Sequence, residues 1–145
     1  MEQMEFDPLR LEAQICFPLY AASREVIKQY HPYLEKVGLT YTQYVTMMVV
    51  WAEQQVSANE LGKRLYLDSG TLTPVLKALE GKGYIRRARS KQDERVLLVE
   101  LTDEGRALKD AARDIPSAVG ACIPLPPEDA AELYRILYTL LGALQ

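Results

Sequence analysis

Two cysteines and a group of phenols are the residues of this chain that could carry out covalent chemistry. Cys16 stands in Ile15-Cys16-Phe17-Pro18-Leu19-Tyr20-Ala21, and Cys122 lies just ahead of the helix-breaking run Ile123 to Pro127. Of nine tyrosines, Tyr20, Tyr30, Tyr33, Tyr41 and Tyr44 fall in the first third of the chain. A cysteine attacks as its thiolate, and phenolic hydroxyls that donate to the sulfur favour that form, which is what reaction with a peroxide requires. A plainer role fits the same spacing, because a free cysteine on an apolar helix face commonly packs as a small hydrophobe. His31 has no partners at zinc-binding spacing and no glycine loop could cradle a phosphate, so neither a metal nor a cofactor is expected.

The elements that must hold these groups follow from apolar periodicity. From Leu9 to Tyr30, residues such as Ile15, Cys16, Leu19, Tyr20, Val26, Ile27 and Tyr30 recur at intervals of three and four. This predicts one long helix of roughly 33 Å at 1.5 Å per residue. Pro18 is expected to kink it beside Cys16, and His31-Pro32 to end it. Tyr20 lies one turn from Cys16 on the same face. Tyr30 shares that face but sits about 21 Å further along a straight helix. It can therefore meet a reactive cysteine only in a second copy whose first helix crosses antiparallel. After Gly38, Thr40-Tyr41-Thr42-Gln43 reads as a capping box that opens a helix to about Gln54, apolar nearly all round and hence central.

The stretch from Ser57 to Leu101 has a different character. Ser57-Ala58-Asn59-Glu60 reads as a second capping box. From Leu67 to Glu80, Leu72, Val75, Leu76 and Leu79 make one buried face and leave Ser69, Thr71, Thr73 and Lys77 on the other. Two short helices about a polar turn make a helix-turn-helix whose second helix reads DNA. Gly81 and Gly83 close it. Tyr84 to Arg89 and Arg95 to Leu101 then read as strands around Ser90 to Glu94, a basic hairpin and therefore a wing whose arginines can enter a minor groove. Between Leu61 and Arg95 nine basic residues face four acidic ones, a net of +5, and the rest of the chain carries -8. That asymmetry favours DNA at one surface despite an overall charge of -3. Lys63, Arg64, Lys77, Arg86, Arg87, Arg89 and Arg95 are expected mostly on phosphates, Ser69, Thr71 and Thr73 on base edges, and Asp93 as the partner that shapes the wing around Arg95.

Thr102-Asp103-Glu104 opens a further helix whose pattern runs towards Val119, weakened by Pro116 and Gly120. Pro127 begins a last helix with an apolar stripe of Leu133, Ile136, Leu137, Leu140, Leu141 and Leu144. The expected fold is mainly α with a small β-wing, one domain over 1–145. Its winged helix spans about 57–101, between dimerisation helices at about 9–37 and 103–145. A homodimer covers the surplus apolar stripes and sets two reading helices roughly 34 Å apart, one turn of B-DNA, on a pseudo-palindromic site. The acidic start, Met1 to Pro8, has no signal-peptide pattern and no apolar run approaches a membrane span, so the expected location is cytoplasmic.

The run Leu61 to Lys77, with Asp93-Glu94-Arg95 and Leu101-Thr102-Asp103-Glu104-Gly105, resembles the MarR family of dimeric winged-helix regulators. Ile15 to Ala21 and Leu39-Thr40-Tyr41-Thr42-Gln43-Tyr44 resemble its organic-hydroperoxide-sensing branch. The resemblance covers nearly the whole chain. It implies a non-enzymatic repressor whose inducer is an organic hydroperoxide, with Cys16 as sensor and Tyr30 and Tyr41, from the partner, holding its thiolate beside Tyr20. It also implies a two-cysteine type in which Cys122 resolves the oxidised sulfur across the dimer; a small cellular thiol taking that role stays open. Three other readings fit parts of the pattern: a MarR-type repressor that binds a phenolic or aromatic ligand without thiol chemistry, a thiol peroxidase, and a protein-interaction module.

Overall fold

The computed structural model describes residues 7–145, and a mid-chain helix, α2 (Tyr41–Glu53), runs through its core. The expected capping box starts this helix. Thr40 Oγ1 accepts from the Gln43 N–H at 3.2 Å, and Gln43 Oε1 accepts from the Thr40 N–H at 3.1 Å. Apolar side chains on nearly every side let it bury Tyr44, Met47, Val49, Val50 and Trp51 together.

The first helix differs from expectation at both ends. A 3₁₀ turn (Leu11–Ala13) and an extended Gln14 precede α1 (Cys16–Val37). Pro18 is therefore in the first turn, where its missing N–H has no intrahelical partner to lose, and the expected kink has no cause. Nor does His31-Pro32 end the helix. Pro32 sits inside it at the cost of one backbone bond, which packing of Tyr33, Leu34 and Val37 on the core offsets. The stop comes at Gly38, whose φ of 68° is open to glycine and lets the Leu39 N–H close on the Leu34 carbonyl at 3.1 Å.

A strand the sequence did not announce, β1 (Gln55–Ser57), leads into α3 (Ala58–Leu65) and α4 (Ser69–Gly81). Strands β2 (Ile85–Arg89) and β3 (Leu97–Leu101) follow, shorter than the apolar pattern suggested, and the antiparallel sheet runs β1-β3-β2 with Val56 opposite Val99 and Arg87 opposite Val99. Ser57 caps α3 through the Glu60 N–H at 3.1 Å, which is one half of the expected box. The tail of α4 ends at Gly83, φ 82°, two residues beyond its last helical residue, Gly81.

The stretch expected to run on towards Val119 is two helices, α5 (Asp103–Ala112) and α6 (Ile115–Gly120), broken at Arg113-Asp114. Thr102 caps the first, its Oγ1 accepting from the Gly105 N–H at 3.0 Å and donating to the Gly83 carbonyl at 2.6 Å. One apolar cluster reaches from Leu34 to Val119. Outside it stand the start of α1 and the whole of α7 (Pro127–Ala143), in which no residue is buried. Of the acidic start, residues 1–6 lie outside the described residues. Among the described residues no helix is long and apolar enough to cross a membrane, and no cluster of His, Cys, Asp or Glu could hold a metal ion.

Candidate functional site

Cys16 is the first residue of α1, its sulfur free and exposed at the positive end of the helix, where developing negative charge is favoured. Tyr20 is one turn away but engages Arg24, accepting from Nη1 at 3.2 Å while the guanidinium lies 4.9 Å over its ring. The Tyr20 hydroxyl accepts there and keeps its own proton to donate. Tyr30 meets Tyr41 edge-on at 4.9 Å between centroids, and Tyr44 completes the group at 5.9 Å from Tyr30. Burial, followed by the neighbouring Tyr30 hydroxyl, pushes the Tyr41 and Tyr44 phenols above the usual tyrosine range. They stay neutral at physiological pH, which keeps them hydrogen-bond donors.

Cys122 follows α6 and comes within 3.9 Å of the Tyr33 hydroxyl, while its Sγ donates to the Ala118 carbonyl at 3.4 Å. The contact with Cys122 raises the Tyr33 phenol above its ordinary value. Tyr33 was hidden by the expectation that the helix stops at Pro32. With α1 continuous it falls one turn beyond Tyr30, so Cys122 sits beside the tyrosine cluster. Cys16 and Tyr33 are separated by about 26 Å of helix rise. A disulfide needs its Cα atoms within about 7 Å, so Cys16 and Cys122 of a single chain cannot join while α1 is intact.

The second candidate surface is formed by α3, α4 and the hairpin. Leu67 N–H bonds the Gly62 carbonyl at 2.9 Å across the turn, and a Cβ on Gly62 would meet the Leu67 oxygen at 2.8 Å, so only glycine allows so tight a return. Asp68 caps α4 through the Thr71 N–H at 2.7 Å, which holds its carboxyl below the usual range. Leu72, Leu76 and Leu79 are buried and Val75 half-buried, leaving Ser69, Thr71, Thr73 and Lys77 exposed on the opposite face as expected. A cleft of about 650 Å³ between this helix and the sheet is lined by Lys63, Tyr66, Ser69, Thr73, Arg87 and Arg89, among others. At the hairpin tip Ser90 Oγ accepts from the N–H groups of Gln92 and Asp93. Asp93 grips the Arg95 guanidinium with both oxygens at 3.0 Å while the Arg95 side chain stays 90% exposed.

Three of the arginines expected on phosphates are also paired with glutamates. Arg87, its side chain 22% exposed, is tied to Glu80 at 3.0 Å, and Glu80 also accepts from the Arg87 N–H. Arg86 is paired with Glu100 across the strands, and Arg64 with Glu53 at 2.7 Å. These arginines fasten the sheet and α3 to their surroundings. Lys63, Lys77 and Arg89 are exposed, and Arg86 and Arg95, though paired, keep side chains 72% and 90% exposed.

The family model for the SarA/Rot transcriptional regulators matches residues 28–112. The organic hydroperoxide resistance transcriptional regulator of Bacillus subtilis (strain 168) is 46% identical over 140 residues, 97% of this chain and 95% of that protein. The chain belongs to the MarR family of winged-helix regulators, in the organic hydroperoxide resistance branch. Among solved structures, reduced AbfR bound to DNA is 35% identical, covers 94% of this chain and 95% of its own, and superposes with a TM-score of 0.77. The disulfide form of AbfR, a protein of Staphylococcus epidermidis, is 36% identical over 92% of this chain and 93% of its own, with a TM-score of 0.66. Overoxidised AbfR bound to DNA superposes equally well, with a TM-score of 0.77, so the chain is nearer in shape to the DNA-bound relatives than to the disulfide form.

Proposed function

We propose that the protein is a homodimeric, cytoplasmic transcriptional repressor, without enzymatic activity, that holds a pseudo-palindromic operator until an organic hydroperoxide oxidises Cys16. The observation that carries this reading is the placement of Cys122 and Tyr33 one turn from the Tyr30–Tyr41 pair, at the end of α1 opposite Cys16. An antiparallel crossing of two first helices brings the Cys16 of one protomer to the tyrosines and Cys122 of the other. The exposed apolar residues Ile15, just ahead of α1, and Phe17, Leu19 and Ile27 within it, with Leu133, Ile136 and Leu140 of α7 and Leu144 just beyond it, supply the surface for it. The winged helix of about 57–101 is the reading head, and the flanking helices are the dimerisation elements.

The Cys16 thiolate attacks the peroxide oxygen remote from the organic group. An S–O bond forms, the O–O bond breaks, and the alkoxide leaves as an alcohol after taking a proton. The sulfenic acid then condenses with the Cys122 thiol of the other protomer, forming S–S and releasing water. Tyr30 and Tyr41 donate to the thiolate before reaction. AbfR has been solved in reduced, overoxidised and disulfide forms, and the poorer superposition of the disulfide form alone supports a change of shape that accompanies the disulfide. Cumene hydroperoxide should release the wild-type protein from an operator duplex in a gel shift, whereas Cys16→Ser should stay bound. Release of Cys16→Ser would favour a ligand-binding regulator that makes no use of the thiol.

A further inference from the structure

Lys82 is the residue that follows the reading helix, and its side chain leaves the DNA-facing surface altogether. Its ammonium donates to the Gly38 carbonyl and, at 3.0 Å, to Gln43 Oε1. Gly38 ends α1 and Gln43 belongs to the capping box that starts α2. The cation thus lies at the negative end of the α1 dipole and on the elbow between the two helices that carry the tyrosine cluster.

The geometry of that elbow gives the contact its meaning. Tyr30 and Tyr33 belong to the last turns of α1, and Tyr41 is the first residue of α2. Their packing is set by how the two helices meet across Gly38-Leu39-Thr40. Gln43, only 8% exposed, uses one oxygen for two tasks, accepting from the Thr40 N–H and from Lys82. A change in the seating of Tyr30 against Tyr41 that alters the α1–α2 angle must move the Gly38 carbonyl relative to Gln43. Lys82 is bonded to both and is continuous with the end of α4. The apolar contacts of α4 with α2 can slide, but an ammonium shared between two fixed oxygens is directional.

We infer that Lys82 is a positioning residue, a strut that converts rearrangement at the tyrosine cluster into tilt of the reading helix. It acts through the helix ends and does not touch DNA or the reacting sulfur. This inference rests on the peroxide-sensing reading above, and its test separates the two.

Operator affinity is measured for reduced and cumene-hydroperoxide-treated protein, as wild type and as Lys82→Met, with the thermal midpoint of each. Lys82→Met keeps the length of the stem and removes the ammonium. Reduced Lys82→Met is expected to bind within about threefold of wild type, while the oxidised-to-reduced ratio of dissociation constants falls to within about threefold of unity. Lys82→Arg should restore the ratio. A purely structural role would weaken both redox states alike and leave the ratio unchanged, and that result overturns the strut. Equal affinity of reduced and oxidised wild type overturns the sensing reading and the strut with it. Should Lys82→Met fail to fold, Gln43→Met removes the other end of the tie, and its ratio decides the matter in the same way.

Discussion

Tyr41 combines burial, a neighbouring phenol and a place on the first turn of α2, and together these hold its hydroxyl proton in place. Tyr41→Phe should keep the packing and lose the donor, slowing oxidation of Cys16 by about tenfold, the worth of one hydrogen bond to a charged group at about 1.5 kcal/mol. Stopped-flow peroxide kinetics on the reduced protein measures it. Asp68 carries a different prediction. The Thr71 N–H holds its carboxyl below the ordinary value in the folded protein. The stability it adds is complete above its unfolded pKa, near about 3.9, and is lost as pH falls through the lower folded value. Glu80, depressed by the N–H and guanidinium of Arg87, acts in the same direction. Asp68→Asn should show a smaller drop in thermal midpoint between about pH 5 and about pH 3 than wild type. At this scale Cys16 and Cys122 were candidates by residue type and Tyr30 by helical spacing, while the roles of Tyr41 and Cys122 came from the family resemblance. Tyr33 and Lys82 were not legible, since each takes its meaning from a partner far away in the chain.

Helix α5 is fastened to α2 and the sheet at a single tight junction. Trp51 Nε1 donates to the buried Gly105 carbonyl at 2.8 Å, and a Cβ on Gly105 would lie 2.1 Å from the Tyr84 carbonyl oxygen. Trp51→Phe leaves that carbonyl unpaired and should cost about 1–3 kcal/mol. Gly105→Ala should cost at least about 1–3 kcal/mol by overpacking against backbone that cannot yield. Chemical denaturation of both variants checks these values. The capping signals of Thr40 and Ser57 and the acidic first turn after Thr102 placed helix starts correctly because each is a local device, written within four residues. The prolines misled for the opposite reason. Whether Pro18 or Pro32 disturbs a helix depends on where that helix begins and on what its far end is packed against. Strand β1 gave no signal because three residues, Gln55–Ser57, are too few for an alternating pattern and exist as a strand only by pairing with β3.

The exposed apolar face of α7 and the start of α1 are surfaces a soluble monomer rarely leaves open. Ile136→Glu, with a side chain 47% exposed in the single chain, should shift the protein towards monomer in sedimentation velocity and weaken operator binding while leaving the winged helix folded. The positive stretch on an acidic body was visible in the sequence, whereas the pairing of Arg64, Arg86 and Arg87 with glutamates was not. The salt dependence of DNA binding should accordingly reflect Lys63, Lys77, Arg89 and Arg95 in each protomer more than the full count of cations. In the proposed mechanism the sulfur at one end of a dimer helix governs the separation and tilt of two reading heads. The most direct test is the affinity of the wild-type dimer for an operator duplex selected from a random pool by the reduced protein. It is measured by fluorescence anisotropy before oxidation, after stoichiometric cumene hydroperoxide, and after dithiothreitol. The expected result is a loss of at least about tenfold on oxidation, equal to about 1.4 kcal/mol, that the reductant reverses. Unchanged affinity across the three states would contradict it.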